Sequence, residues 1–312
     1  MEFSLAKEVI ECLPKERTLY HYYKDRYAAY LLEQEIAKNG DIDIGKYRKC
    51  SSARLLEKPA IKKILQTCGG KKLSQEHLES LWNRQCETYV MTLGTWGSDR
   101  SYQHYQISRP GQNLVLQMNF NGRHDENYRH CIMSDPYFFM CAGHPINHSK
   151  VTLAWARLDF DLVTGEALIE EIQTDWLRQV GFLLGDLERA SACDEKAFEF
   201  YGERIYVDRA TRYFRDEIAK HKVLWSEAML NAAIQFLHEE IGLSTVYYHT
   251  FETGALLKNI KYDKPPKSLY TKLPKQFCFE QVAEGPSFIL ADKQARRRLK
   301  KAGKPQWFRL SL

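Results

Sequence analysis

Two runs of sequence decide the fold. The first is Val151-Thr152-Leu153-Ala154-Trp155-Ala156-Arg157-Leu158-Asp159-Phe160-Asp161-Leu162, and the second is Ala167-Leu168-Ile169-Glu170-Glu171-Ile172-Gln173, joined through Val163-Thr164-Gly165. Both carry the aromatic and branched residues of strands, and Gly165 supplies the positive φ that the turn requires, so the segment reads as a hairpin. Side chains alternate between the faces of a strand. Glu171 is therefore expected beside Ala167 and Ile169, and Glu170 beside Glu166 and Leu168. One of the two glutamates should point inward, where desolvation raises a carboxyl pKa and suits it to general-base work. On the first arm Arg157, Asp159 and Asp161 line one face, as a polar cleft wall or as plain solvent exposure. A solvated hairpin with one inward carboxylate paired to an arginine is the structural alternative. Past the second arm Glu171, Gln173 and Asp175 occupy odd positions, and strand ends are where α/β sites are commonly built. They are predicted to face one pocket, joined by Arg157 or Arg178, with Trp176 as an apolar wall. The alternative has Asp175 capping the next turn and Trp176 plugging the core.

Beyond the hairpin the apolar period returns to that of helices over 182–189, 197–203 and 210–220. The stripe Leu224, Ala228, Leu230, Ala233, Ile234 and Leu237 predicts a long helix over 223–241, closed by Gly242. A buried strand over 244–249, a short helix over 252–260, and strands over 277–282 and 287–290 follow, with Pro265-Pro266 as a turn. Upstream, helices are predicted over 4–38, 52–66 (with Pro59 as a possible break) and 74–84, where Ser74 is the N-cap. Strands are expected over 89–93 and 114–120. The prediction is an α+β fold: a helical N-terminal region, residues 1–88; a core domain, residues 89–290, with a mixed, largely antiparallel sheet flanked by helices; and a basic tail, residues 291–312.

A chain of 312 residues with 44% hydrophobic content suits one large domain or two smaller ones. The acidic start Met1-Glu2-Phe3-Ser4 lacks the basic flank of a signal peptide, and no apolar window is long enough to span a bilayer, so a cytoplasmic location without membrane attachment is expected. Eight scattered cysteines without a Cys-x-x-Cys pair read as free thiols. Much of the net charge of +5 lies in 293–304, around Arg296-Arg297-Arg298 and Lys300-Lys301, a cluster suited to phosphates, a solvated helix end or a docking tail. Trp307-Phe308 beyond it suggests that the tail folds back onto the body.

The run Glu170-Glu171-Ile172-Gln173-Thr174-Asp175-Trp176 resembles the Glu-Glu-Ile-Gln-Ser-Asp-Trp motif of a module found in large multidomain phage and mobile-element proteins. Ala154-Trp155-Ala156-Arg157, Trp225 onward, 245–250, Tyr262-Asp263-Lys264 and Leu273-Pro274-Lys275 are similar to its flanking segments. This likeness covers about residues 150 to 280 and implies a bacterial, phage-related context without naming a reaction.

The C-terminal half also resembles the GNAT-type, acetyl-CoA-dependent N-acetyltransferases, whose core runs strand, strand, pyrophosphate loop, helix, strand, helix, strand. Their loop pattern, Arg/Gln-x-x-Gly-x-Gly/Ala, presents backbone N–H groups to the pyrophosphate at a helix N-terminus. Arg178-Gln179-Val180-Gly181-Phe182-Leu183 fits it at Arg178 and Gly181 and departs from it at Leu183. The likeness implies acetyl-CoA bound at Arg178 and Gly181, Glu171 or Glu170 as base, and Tyr270 as general acid.

His124, His130, Cys131, Cys141, His144 and His148 form the remaining cluster; Cys141, His144 and His148 have zinc-ligand spacing, against a reading as separate core and surface residues. No Gly-x-Ser-x-Gly elbow and no Walker or dinucleotide glycine loop occurs. Two function classes stay open: an N-acyltransferase-like enzyme acting on a small-molecule, protein or RNA acceptor, and a non-catalytic accessory protein binding nucleic acid through 293–304 and the N-terminal lysines.

Overall fold

A computed structural model describes residues 1–13, 18–83, 85–98, 100, 105–261 and 265–312. Helix α1 (Phe3–Cys12) precedes strand β1 (Thr18–Tyr22) and the largely buried helix α2 (Arg26–Asn39). The stretch 4–38, expected to be helical, is thus interrupted by a strand. Tyr20 and Tyr22 stack at 5.9 Å, an i,i+2 pairing that a strand face permits and a helix face does not. A small two-strand clip, β2 (Ile42–Asp43) with β3 (Lys72–Leu73), brackets helices α3 (Ile44–Tyr47) and α4 (Pro59–Thr67), and α5 (Gln75–Glu79) follows. Pro59 opens α4, where its missing N–H leaves no helical bond unmade, and Ser74 caps α5.

Strands β4 (Glu87–Ser98), β5 (Gly111–Asn119), β6 (Thr152–Asp161) and β7 (Glu166–Gln173) form an antiparallel meander, with helix α6 (Gly122–Cys131) between β5 and β6. Helix α7 (Asp175–Ala192) starts at once after β7. The expected helix over 197–203 is instead a hairpin, β8 (Ala197–Phe200) with β9 (Glu203–Tyr206). Tyr201 at φ 50° and Gly202 at φ 85° form its turn, the paired positive φ values that two-residue hairpin loops adopt. The two helices expected over 210–241 are one: α8 (Val207–Tyr213) runs through a π turn at Phe214–Ile218 into α9 (Ala219–Gln235) and a second π turn at Phe236–Glu240.

The chain ends with β10 (Thr245–His249), α10 (Phe251–Leu257), α11 (Lys272–Gln276), β11 (Glu280–Val282), α12 (Ser287–Ala291), α13 (Lys293–Leu299) and β12 (Trp307–Ser311). The strand expected over 287–290 is the helix α12, whose first N–H and hydroxyl are held by the Glu166 carboxylate. The eight-stranded sheet has the order β1-β4-β5-β6-β7-β10-β12-β11. Neighbours are antiparallel throughout except β7 and β10. The fold is therefore α+β with a mixed, mostly antiparallel sheet flanked by helices, and the sheet runs past both expected boundaries, at 88 and at 290. β1 lies at one edge of it, and the supposed tail supplies α13 and a strand inserted beside β10.

Ala154, Ala156, Leu158, Phe160, Ala167, Ile169 and Ile172 build the main core with α9, whereas Leu168, Tyr247 and Trp307 on the other face meet Leu257, Phe288, Ala295 and Leu299. Trp307 and Phe308 are both buried on β12. Closure there depends on Gly285, where an added Cβ would lie 2.4 Å from two atoms of the Trp307 indole. A buried ring cannot swing aside, so Gly285→Ala is expected to destabilise the fold by about 1–3 kcal/mol, read from a denaturant midpoint. An unchanged midpoint would show that β12 is loosely seated.

Candidate functional site

The glutamates do not follow simple alternation. Arg157 pairs with Glu171, but Leu158 pairs with Ile169, so Glu170 is an extra residue in β7 and the strand bulges. Parity inverts across the bulge, and both carboxylates reach the Arg157 face while Ile169 and Ile172 keep the core face. Glu170 accepts from the Ser108 amide (2.9 Å), the Ser108 hydroxyl (2.7 Å) and His249 Nε2 (3.0 Å). Glu171 is held by the Arg157 guanidinium and, at 3.2 Å, by Lys258 Nζ. Arg157 also donates to the Tyr105 and Gln106 carbonyls, and the Arg109–Asp159 ion pair (2.7 Å) fastens the same segment. β10 pairs with β7 only as far as Ile169 and then turns into α10 at the Thr250 cap. Lys258, one residue past that helix, donates to the strand edge that β10 leaves unpaired, at the Glu170 carbonyl (3.2 Å).

These contacts reverse the expected chemistry of the two carboxylates. Burial alone would raise them, but for Glu170 the His249 hydrogen bond and the charges of Arg157 and Lys258 outweigh it and bring the pKa to about 2. Glu171 is likewise lowered against burial, by Lys258 and Arg157. Such carboxylates are ionised and strongly held, which makes them poor general bases. Burial lowers His249, against the pull of the Glu170 carboxylate to which its Nε2 is bonded. Burial lowers Lys258 as well, with Glu171 opposing.

Ser108, His249 and Glu170 superficially suggest a hydrolytic triad. However, Ser108 Oγ (3.0 Å) and Glu170 (3.0 Å) both meet the same nitrogen, Nε2. A relay needs the two ring nitrogens to face different partners. All three residues are sealed from solvent, so this is a structural cluster.

A different pair has relay geometry. Asp175 is buried at the first position of α7 and accepts from His144 Nδ1 (2.7 Å), Trp155 Nε1 (3.1 Å), Gln173 Nε2 (2.6 Å) and the Arg178 guanidinium. Against burial, these donors lower its carboxyl pKa, His144 foremost. The bond to Asp175 places the imidazole proton on Nδ1 and leaves the Nε2 lone pair free. His144 is about one-third exposed (32%), and it lines a cavity of about 1190 Å³.

The cavity opens where β7 continues beyond the end of β10. Gln106, Cys141, His144, Glu171, Gln173 and Arg178 form its polar end. Leu177, Leu184, Ile218, Trp225, Ile260 and Leu269 form the apolar walls, and Arg215 and Lys222 also line it. The π turn at 214–218 supplies part of this wall, a backbone irregularity of the sort that recurs at binding sites.

Glu171, Gln173 and Arg178 share this cavity, as the strand-end expectation has it, while Arg157 and Asp175 stand behind the lining. Trp176 is not a wall: it points into the core against Phe120, His124 and Phe139. Arg178 and Gly181 do line the cavity, but the segment 178–183 lies inside α7 and is no loop. Its backbone N–H groups are committed to helical bonds, the first turn carries the acidic Asp175, and Thr174 caps it, so the pyrophosphate cradle expected there does not form. Tyr270 is buried under Lys258 Nζ (5.9 Å) and stacked on Tyr248 (5.4 Å), and burial with the Glu171 charge raises its pKa well above that of a free phenol. It adjoins the floor without lining the cavity.

The supposed zinc set is dispersed. His124 stacks on Phe120 at 3.5 Å, Cys131 is buried on α6, and His144 is engaged by Asp175. Among the described residues no group of three or more His, Cys, Asp or Glu side chains is arranged to hold a metal ion, and all eight cysteines are free. Likewise no helix among the described residues is long and apolar enough to cross a membrane. Tyr262-Asp263-Lys264, part of the module likeness, lies outside the described residues. His144 as a base and Lys258 as a buried partner are absent from the sequence expectations; only the Cys141–His144–His148 spacing drew attention to His144. No protein-family model matches this chain, and no curated protein or solved structure matches it either.

Proposed function

We propose that the cavity at the end of β7 is the substrate site of a group-transfer enzyme, with His144 as general base and Asp175 as the carboxylate that orients it. The carrying observation is the His144 Nδ1–Asp175 bond (2.7 Å), which holds through one ring nitrogen an imidazole that lines a large, mostly apolar cavity. An acyl-CoA donor is the reading with most support. The order β6, β7, α7, β10, α10 and β12 follows the acetyltransferase order, apart from the missing loop, the β8–β9 hairpin with α8 and α9 that stand between α7 and β10, and the elements from α11 to α13 before β12. The parallel strands β7 and β10 part where the cavity begins, and its apolar walls suit a pantetheine arm. Lys222 and Arg215 take the place of the missing loop as phosphate partners, although Arg215 is shared with Asp216.

In this reading an amine acceptor attacks the thioester carbonyl, the C–S bond breaks, and the amine proton passes to His144 Nε2 and on to the leaving thiolate. Glu171, Arg157 and Lys258 fix the floor and do not exchange protons. Thermal shift with acetyl-CoA, together with thiol release in the presence of simple amines and basic peptides, tests the proposal. Ligand at a hundred times its Kd adds about 2.7 kcal/mol to stability. His144→Ala is expected to lower kcat by about 10²- to 10⁴-fold and to leave the acetyl-CoA shift in place. No midpoint shift at millimolar acetyl-CoA, with no thiol released, would defeat the acyl-transfer reading.

A further inference from the structure

Helix α13 and the turn after it present a continuous cationic face. Lys293, Arg296, Arg297, Lys300, Lys301 and Lys304 are all exposed, and among the described residues none of them has an ion-pair partner. On the opposite side Ala295 and Leu299, one helical turn apart, are buried against Phe288 and Trp307. The Arg298 guanidinium donates to the Leu257 carbonyl and fastens α13 to α10. The Asp292 carboxylate is taken up by the Gln294 and Ala295 amides. The face is therefore held by its apolar side and directed outward by its charged side, over roughly 10 Å of α13 at 1.5 Å per residue and on into the turn that follows. Six unpaired cations held this way gain little for folding; they suit a partner that carries regularly spaced negative charge.

We propose that this face binds the phosphate backbone of double-stranded nucleic acid without reading sequence. Residues 293–304 contain no aromatic side chain, so the stacking platform that single strands use is missing. The apolar residues of α13 are already buried in the protein, which leaves none for insertion into a lipid surface. The proposal is independent of the cavity and of its chemistry.

The test is fluorescence anisotropy with a labelled 20-base-pair duplex of arbitrary sequence, titrated from 50 to 200 mM salt. Four engaged phosphates give a log–log slope of about −3.6, roughly a 10²-fold loss of affinity over that range. The triple reversal Arg296→Glu, Arg297→Glu and Lys300→Glu is expected to abolish binding. The milder Arg296→Gln, Arg297→Gln and Lys300→Gln should reduce the slope by about three while leaving the melting midpoint unchanged. Lys46→Glu with Lys49→Glu, exposed cations near α3, should leave affinity within twofold. Equal losses from that pair, which lies outside the face, would mean diffuse attraction and would overturn the proposal. So would tighter binding to single strands, or binding to anionic vesicles but not to the duplex.

Discussion

Glu171→Gln is expected to lower folding stability by about 3–5 kcal/mol, because it removes the carboxylate that is bonded to both buried cations, Arg157 and Lys258. Arg157 and Lys258 are each about 2% exposed. Arg157 cannot relieve the clash by deprotonation, so Lys258 must. Burial and the Arg157 charge already lower the Lys258 pKa, and the Glu171 carboxylate, with Glu170 behind it, opposes them. In the variant the folded state therefore holds neutral Lys258, while the unfolded chain keeps it protonated up to about pH 10.4. A base lowered by folding contributes stability that is complete above its unfolded pKa and is lost as pH falls. The variant should thus gain about 1.4 kcal/mol per pH unit on going from pH 7 toward pH 10, more steeply than the parent. Adding Lys258→Met should remove this slope and recover part of the loss, a coupling that a double-mutant cycle in denaturant measures. A variant as stable as the parent with a flat pH response would show that water reaches the floor.

How far this site could be read from residues alone differs from element to element. The β6–β7 hairpin, strand β10 and the helix through α9 are marked by period and by Gly165 and Gly242, and they lie where those marks put them. β1 was hidden because its tyrosines continue a spacing that also suits α2, and only the pairing with β4, some seventy residues on, makes it a strand. Within the site a single inserted residue mattered most. A bulge leaves no local mark in Ile169-Glu170-Glu171-Ile172, yet it changes the face of every side chain after it. Lys258 follows a short helix, where a lysine ordinarily complements the helix dipole in solvent; its burial depends on β10 ending early. Ser108 and Arg109 come from a segment some sixty residues before Glu170, and no spacing rule connects them to it. The sequence pattern therefore located the strand end, whereas the assignment of its carboxylates depended on partners distant in the chain.

The largest effect of pH is expected below neutrality, at the aromatic core behind the sheet. His221 is 4% exposed, with Nδ1 on the Tyr89 hydroxyl (3.0 Å), and its ring lies edge-on to Phe120 and His124. Burial, with the charges of His124 and Lys220, brings its pKa down to about 2. Glu217 lies 3.9 Å from Nε2 and would favour the charged ring, but Lys220 (2.9 Å) and Asn127 (2.7 Å) already hold that carboxylate. Burial lowers His124 too, against the pull of Asp125. Both rings are neutral in the folded state and protonate in the unfolded chain near pH 6.5. The His221 contribution is complete above pH 6.5 and is lost as pH falls, at about 1.4 kcal/mol per pH unit, and His124 adds to it in the same direction. Below about pH 4.5 the lowered carboxylates of Glu170, Glu171 and Asp175 add to the loss, since they too must protonate on unfolding. Stability should therefore fall by at least about 2 kcal/mol between pH 7 and pH 5, the share of His221 alone. The variant Tyr89→Phe with His221→Phe removes both hydrogen-bonding partners together and so strands neither. It should flatten most of the slope that His221 supplies between pH 6.5 and 4.5 and leave the fall below pH 4.5 intact. Denaturant midpoints at half-unit pH steps measure both limbs. A parent protein equally stable at pH 5 and pH 7 would mean that the two rings accept protons while folded, and that this core opens to water.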